Sequence, residues 1–265
     1  MATYLDRILD AHRAAAAVDR RDLRELAAWA AEAPEPRGFA AALRRGAAEG
    51  VAVIAEVKRR SPSKGPLAPD LDPASLAVDY ERGGASCLSV LTDVAHFGGS
   101  PEDLRAARGA CGLPVLRKDF TVCAHDVYDA RLMGADAVLL IAAALDDAEL
   151  AEFHARAVDV GLDVLVEIHD EAELERALRV DPHLVGVNQR DLVTFAVDTD
   201  RAVRMAPLIP SGVVRVAESG IGGPSDAARL AAAGYDALLV GESLVRSADP
   251  AGGVAALREA ARPAR

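Results

Sequence analysis

The stretch Val127-Tyr128-Asp129-Ala130-Arg131-Leu132-Met133-Gly134-Ala135-Asp136-Ala137-Val138-Leu139-Leu140-Ile141 holds a complete helix-to-strand junction. Residues 127–133 read as a helix, and Gly134 falls where a helix closes in the left-handed conformation. Residues 137–141 are short and apolar on both faces, as a parallel strand covered on each side must be. The same helix–glycine–strand junction recurs at Gly234-Tyr235-Asp236-Ala237.

Outward from these two junctions the pattern extends over the chain. Strands are expected at 51–57, 87–91, 114–118, 137–141, 163–168, 184–188, 213–218 and 237–240. Helices are expected between them at 73–82, 101–111, 127–133, 147–160, 171–180, 200–206 and 225–233, with a last one at 253–261. Asp72 before Pro73 and Ser100 before Pro101 are N-caps followed by proline, and Gly83, Gly134, Gly161 and Gly234 are helix ends. Eight βα units in about 215 residues close into a (β/α)8 TIM barrel, an α/β fold. An open doubly wound sheet is the alternative, but it usually carries a glycine-rich loop after its first strand, and none is present. Residues 1–48 form helices at 4–18, 21–31 and 38–45, too few to fold alone. They are expected to pack on the barrel of residues 49–265 as a helical N-terminal extension, over one of its mouths.

Composition narrows the class. A net charge of −11 argues against a nucleic-acid surface. It leaves room for an anionic metabolite held by a few local cations and backbone donors. Charge follows Met1 almost at once, so no signal peptide is expected, and the longest apolar runs are too short to span a bilayer. Cys87, Cys111 and Cys123 are an odd, unpaired set, which fits a reducing, cytoplasmic setting. With no HExxH and no clustered His and Cys, no metal is expected, and His169 and His183 read as surface or loop residues. Of the 30 basic residues only Lys58, Lys64 and Lys118 are lysines. Unlike arginine, lysine can release its proton, and all three lie at strand ends or just beyond.

In a TIM barrel catalytic groups sit at the C-terminal ends of strands. Here those ends carry Glu56 and Lys58, Lys118, Glu167, Asn188 and Arg190, and Glu218. The period of two puts Glu56 with Lys58, and Asn188 with Arg190, on one face. So many charges in one mouth cost desolvation unless they serve a ligand or each other, and such clusters are where pKa values shift toward catalytic use. Separately, Ser219-Gly220-Ile221-Gly222-Gly223 follows the seventh strand and Val240-Gly241-Glu242-Ser243 the eighth. Loops at these places form the recurrent TIM-barrel phosphate site.

Ile54-Ala55-Glu56-Val57-Lys58-Arg59-Arg60-Ser61-Pro62-Ser63-Lys64-Gly65 resembles the signature of the indole-3-glycerol-phosphate synthases. So do Val115-Leu116-Arg117-Lys118-Asp119-Phe120, Gly186-Val187-Asn188-Gln189-Arg190-Asp191-Leu192 with Thr194-Phe195, and Ala217-Glu218-Ser219-Gly220-Ile221. The resemblance spans nearly the whole chain. It implies a carboxy-lyase of tryptophan biosynthesis that makes indole-3-glycerol phosphate from 1-(2-carboxyphenylamino)-1-deoxyribulose 5-phosphate, without a cofactor. By motif, Lys118 would be the general acid and Glu167 would serve later proton transfers, with Glu56 and Lys58 completing the acid–base set. Ser61, Asn188, Arg190 and Glu218 would hold substrate. Ser219, Gly220, Gly241, Glu242 and Ser243 fall in the phosphate loops, and Phe97 and Phe120 would be apolar walls for the anthranilate ring. Proton delivery by Lys118 carries the expectation of a lowered pKa. Gln189, Asp191 and Cys123-Ala124-His125 depart from the family pattern at the rim. The implied partner is a small phosphorylated substrate, with no nucleic acid or membrane, for a monomer or weak homo-oligomer. Rival readings are another barrel isomerase or lyase acting on a phosphorylated sugar, such as phosphoribosylanthranilate isomerase, and a non-catalytic binding protein for a phosphorylated metabolite on the same barrel.

Overall fold

A computed structural model describes residues 3–262. Eight parallel strands form a closed barrel, each hydrogen-bonded to the next and the last to the first. They are β1 (Ala52–Val57), β2 (Cys87–Leu91), β3 (Val115–Lys118), β4 (Ala137–Ile141), β5 (Asp163–Ile168), β6 (Leu184–Asn188), β7 (Val214–Glu218) and β8 (Ala237–Val240). Before the barrel lie α1 (Tyr4–Val18), α2 (Leu23–Glu32) and α3 (Phe39–Ala47). The helices between strands are α4 (Pro73–Arg82), α5 (Val94–Phe97), α6 (Pro101–Ala110), α7 (Ala124–Leu132), α8 (Asp147–Asp159), α9 (Glu171–Leu178), α10 (Arg201–Met205) and α11 (Pro224–Ala232). After β8 come α12 (Glu242–Val245) and α13 (Pro250–Ala260). No helix among the described residues is long and apolar enough to cross a membrane.

The period of two along each strand sorts side chains into two cores. Val53, Ala55, Leu88, Val138, Leu140, Val164 and Val166 face outward and are buried under the helices. Ala52, Ile54, Cys87, Leu116, Leu139, Leu165, Val216 and Leu239 face inward and fill the barrel. Continuing the inward row one step toward the C-terminal end reaches Glu56, Lys118, Glu167, Asn188 and Glu218. The alternation that builds the apolar plug thus delivers the polar layer above it.

The N-terminal extension serves both mouths, where one was expected. Phe39 and Leu43 of α3 are fully buried against Ala52, Cys87, Leu116, Ala137, Leu184 and Val214, closing the N-terminal end. Helix α3 has no side-chain cap of its own. Instead the Asp163 carboxylate, at the foot of β5, accepts from the Ala40 N–H at 2.8 Å, and Asp136 accepts from Arg37 N at 2.7 Å. Those anions meet the positive end of the helix. At the other end α1 lies across the C-terminal mouth, with Leu5 and Ile8 in the same inner core as Phe120 and Val122.

The aspartates of the two repeated junctions have a further task. Asp136 accepts from Val115 N at 2.8 Å and Asp236 from Arg215 N at 2.8 Å, each tying its own strand entry to the neighbouring strand. Elsewhere the element ends move by a few residues for identifiable reasons. Helix α7 starts at Ala124 because Asp126 accepts from the N–H groups of Val122 and Cys123, at 2.9 and 3.2 Å. Helix α13 starts at Pro250 because Asp249 caps it through Gly252 N at 2.9 Å. After α4 the left-handed residue is Gly84, at φ +86°, while Gly83 remains helical.

Candidate active site

All fifteen residues singled out in the sequence border one cavity of about 680 Å³ at the C-terminal mouth. Beneath it the inward carboxylates and amines form a buried network. Lys118 Nζ is 3.2 Å from Glu167 Oε2 and 3.9 Å from Glu218 Oε2. Asn188 Nδ2 donates to Glu167 Oε1 at 3.1 Å. Lys58 donates to Glu56, its neighbour two residues back on β1. Arg117, one residue before Lys118, points out of the barrel and donates to Asp119 at 3.1 Å and to the Asp126 carbonyl at 2.9 Å.

Two glycines make this crowding possible. A side chain at Gly186 on β6 would run into the Glu218 carboxylate, and one at Gly241 into Glu56. Gly186 pairs with Glu167 on one side and Val216 on the other, so the gap in its row is filled by Glu218 from two residues further along β7. Gly186 stands in a quoted motif but was not a candidate site residue. A lone glycine in a strand marks a close approach, and that is the only signal that could have found it.

Burial opposes the Lys118 charge, but Glu167, Glu218 and Glu56 outweigh it and raise its proton affinity above that of an ordinary lysine. This overturns the expectation of a lowered value: three carboxylates surround the amine, and none of their separations can be read from residue types alone. Burial likewise opposes ionisation of Glu167, yet Lys118, His169 and Asn188 hold it below the usual carboxylate range. Glu218 goes the other way. Burial and the adjacent Glu167 charge push it well above that range, favouring its protonated form. Its Oε1 has no hydrogen-bond partner among the described residues.

Around this floor the loops supply the walls. After β1, Arg60–Ser61 and Gly65–Pro66 pair as a short antiparallel ribbon that carries Ser61 and Lys64. Arg59 anchors it through Asp103 and the Leu71 carbonyl. The rings of Phe97 and Phe120 stand 6.3 Å apart, tilted by 41°. Arg190 borders the cavity while its backbone N–H donates to Asn188 Oδ1 at 3.0 Å and its guanidinium to the Phe195 carbonyl at 3.2 Å. Ser219 and Gly220 both have positive φ, at 63° and 69°. Gln189 Nε2 fixes that turn by donating to the Ser219 carbonyl at 2.7 Å. Ser243 Oγ donates to Ile221 O at 3.1 Å, joining the two glycine-bearing loops. Helix α12 opens at Glu242 with no side-chain cap, so its first amides have no intrahelical acceptor. Arg246, Leu192 and Phe195 also border the cavity and were not singled out in the sequence.

The departures at the rim have structural work of their own. Asp191 accepts from the Val193 and Thr194 amides at 2.9 and 2.7 Å and shapes the turn before Phe195. His125 pairs with the Arg21 carbonyl at 3.0 Å, joining α7 to the segment before α2.

Two histidine findings differ from expectation. His183 is exposed, but His169 lies one step past β5, with 11% of its side chain exposed and Nε2 3.7 Å from Glu167 Oε1. His12 of α1 reaches Asp93 Oδ2 at 2.9 Å, and His96 Nδ1 reaches the same oxygen at 3.0 Å. Among the described residues these three could offer ligands to a metal, since their donor atoms lie within 4.8 Å of one another. The separations are those of direct hydrogen bonds, and they clasp α1 to the loop after β2. Tyr4 adds edge-on contacts to His96 and Phe195, at 6.0 and 5.3 Å between centroids.

Among solved structures, the chain resembles thiamine phosphate pyrophosphorylase from Pyrococcus furiosus, with a TM-score of 0.61 and 14% identity over 81% of this chain and 96% of that one. A structure described as native KDPGal gives a TM-score of 0.56 and 17% identity over 78% and 93%. A cube-shaped cage designed by fusing symmetric oligomeric domains gives 0.55 and 16% over 79% and 72%. At these identities the likeness is one of fold. The family model described as indole-3-glycerol phosphate synthase matches residues 5–257, from α1 through most of α13. With the barrel closed by eight strands and the match running through every strand-end motif, the chain belongs to the indole-3-glycerol phosphate synthase family.

Proposed function

We propose that the protein converts 1-(2-carboxyphenylamino)-1-deoxyribulose 5-phosphate into indole-3-glycerol phosphate, carbon dioxide and water. The observation that carries this reading is the caged ammonium of Lys118, inward-facing at the barrel mouth and enclosed by carboxylates. The phosphate would meet the amides of Ser219, Gly220, Glu242 and Ser243, with Gly241 leaving room for close approach. Lys58 and Arg190 would attract the substrate carboxylate, Phe97 and Phe120 would flank the anthranilate ring, and Ser61, Asn188 and Glu218 would hold the sugar chain.

Lys118 donates a hydrogen bond to the substrate ketone oxygen while the ring carbon bearing the carboxylate attacks the ketone carbon. A new carbon–carbon bond forms and the oxygen becomes alkoxide-like. At that point the oxygen is more basic than the amine, and the proton passes from Nζ to it. A strongly held proton suits this role: the ammonium stays charged through the polarising phase and transfers only when the acceptor has been generated. Loss of carbon dioxide restores electrons to the ring. Elimination of the hydroxyl as water then needs one group to protonate the leaving oxygen and another to remove a ring proton. Glu167, held anionic, is the base, and Glu56 with Lys58 complete the acid–base set. No cofactor enters this sequence. The working form is proposed to be a cytoplasmic monomer or weak homo-oligomer.

Incubating purified protein with the carboxyphenylamino-deoxyribulose phosphate and following indole fluorescence tests the proposal. Wild type should give product, and Lys118→Met should lose about 10²- to 10⁴-fold in turnover, the usual worth of a general acid. Saturable binding without product from wild type would sink the synthase reading and favour a binding protein.

A further inference from the structure

His169 occupies an unusual position for a residue that no motif singled out. Its backbone N–H donates to Glu173 Oε2 at 2.8 Å, and ring Nδ1 meets the same oxygen at 3.0 Å. The first turn of α9 therefore fixes both the start and the orientation of the ring. Nδ1 faces a carboxylate and so carries hydrogen. The other nitrogen, Nε2, is buried without a hydrogen-bond partner among the described residues and lies 3.7 Å from Glu167 Oε1. A neutral ring protonated on Nδ1 would turn a bare lone pair toward that carboxylate. Only the doubly protonated imidazolium is complementary to both neighbours.

We propose that His169 is a positioning residue for Glu167: as an imidazolium it is the second cation of the carboxylate, keeping it anionic and oriented after Lys118 has passed its proton to substrate. The inference rests on the synthase reading for its catalytic consequence. While Lys118 is charged, Glu167 has an ammonium at 3.2 Å on Oε2 and Asn188 at 3.1 Å on Oε1. Proton delivery breaks an N–H bond on Lys118, forms an O–H bond on the intermediate and leaves a neutral amine. Glu167 then sits buried beside Glu218 with its principal counter-charge gone. Without a second cation it would take up a proton before it could remove one from the ring. His169 supplies that cation beside Oε1, and its side chain does not line the cavity.

The charged groups that face the ring are consistent with this role. Glu173 from α9 and Glu167 from β5 favour the imidazolium, while burial and Arg201 of α10 oppose it, and the net result is a raised proton affinity. Arg201 is itself committed to the Asn188 carbonyl, at 2.9 Å.

The test is His169→Asn, whose amide can still donate to Glu173 while the charge is lost. Two readouts separate the proposal from the synthase reading. The first is a ¹³C-carboxyl NMR titration of Glu167 in the unliganded protein, assigned by comparison with Glu167→Gln. Its midpoint should rise by one pH unit or more in His169→Asn, the usual effect of an opposite charge within about 4–6 Å. The second is the pH profile of kcat, whose acidic limb should move upward by the same amount while KM changes less than about threefold. Glu173→Gln leaves the ring in place and removes the anion that keeps it charged, and should move both readouts in the same direction. An unchanged Glu167 midpoint in both variants would overturn the proposal. If wild type turns over no substrate, the synthase reading fails, and the NMR titration still decides whether His169 holds Glu167 ionised.

Discussion

Replacing Glu218 with Gln should make the protein's stability less sensitive to pH, in a direction and by an amount that follow from its burial. Glu218 is 2% exposed, lies 3.9 Å from Lys118 and faces the ionised Glu167. Its folded-state proton affinity is well above the ordinary carboxylate value of 4.5. A raised value means that the folded protein keeps a proton which the unfolded chain releases. The stability tied to this group is complete below pH 4.5 and is lost as pH rises toward the folded value. Within that window the slope approaches, at its steepest, the one-proton limit of about 1.4 kcal/mol per pH unit. Between pH 5 and 7 the wild type should therefore lose stability with rising pH that Glu218→Gln does not lose. The fixed cost of fitting an amide beside Lys118 is the same at every pH and drops out of the comparison. Urea denaturation followed by circular dichroism at pH 5, 6 and 7 gives the two stability curves. Parallel curves, with a constant offset across that range, would refute the reasoning and show Glu218 ionised like a surface carboxylate.

Two further outcomes follow from the packing. Gly186→Ala should displace the Glu218 carboxylate that now occupies the space above the strand, cutting kcat by at least tenfold while circular dichroism shows the barrel intact; wild-type activity in a folded variant would mean that the Glu218 position is not critical. His12 is held protonated chiefly by its bond to Asp93, with burial opposing and Asp119 and Asp126 assisting. Its folded value is raised above 6.5, so its contribution to docking α1 is complete below pH 6.5 and fades as pH rises through the folded value. Hydrogen exchange of the α1 amides, corrected for intrinsic rates, should accelerate between pH 6.5 and 8.5 in wild type and be faster and flat in His12→Gln. Equal protection at both pH values in wild type would remove the clasp from the account.

The features that local periodicity controls were legible in the sequence. Alternation along each strand fixed which side chains share the barrel interior, so Glu56, Lys118, Glu167, Asn188 and Glu218 could be placed in one mouth without knowing the shape of the barrel. The glycine-bearing loops after β7 and β8 were readable for the same reason, because strand order in a TIM barrel determines which loops adjoin. What was hidden depends on pairs far apart along the chain. His12 and Asp93 are 81 residues apart, and no spacing rule joins them. Helix α3 looks like another amphipathic helix until Asp163, from a strand more than a hundred residues later, is found at its N-terminus.

The proton affinity of Lys118 shows most clearly what residue types alone leave open. A buried lysine in isolation loses affinity for its proton, and an inward lysine on β3 invited that reading. Its sign is reversed chiefly by the ionised Glu167 on β5, 3.2 Å away, while Gly186 leaves its place empty for Glu218 on β7. The reversal also changes the chemistry required of the site. A loosely held proton would be available before the substrate oxygen needed it, and its loss would remove the field that polarises the ketone. A tightly held one keeps that field in place until bond formation has created the base. The anionic Glu167 therefore sets the moment at which Lys118 gives up its proton, with Glu218 packed beside it in the space that Gly186 leaves. Any substitution that loosens the cage should lower the rate even where every acid and base is still present.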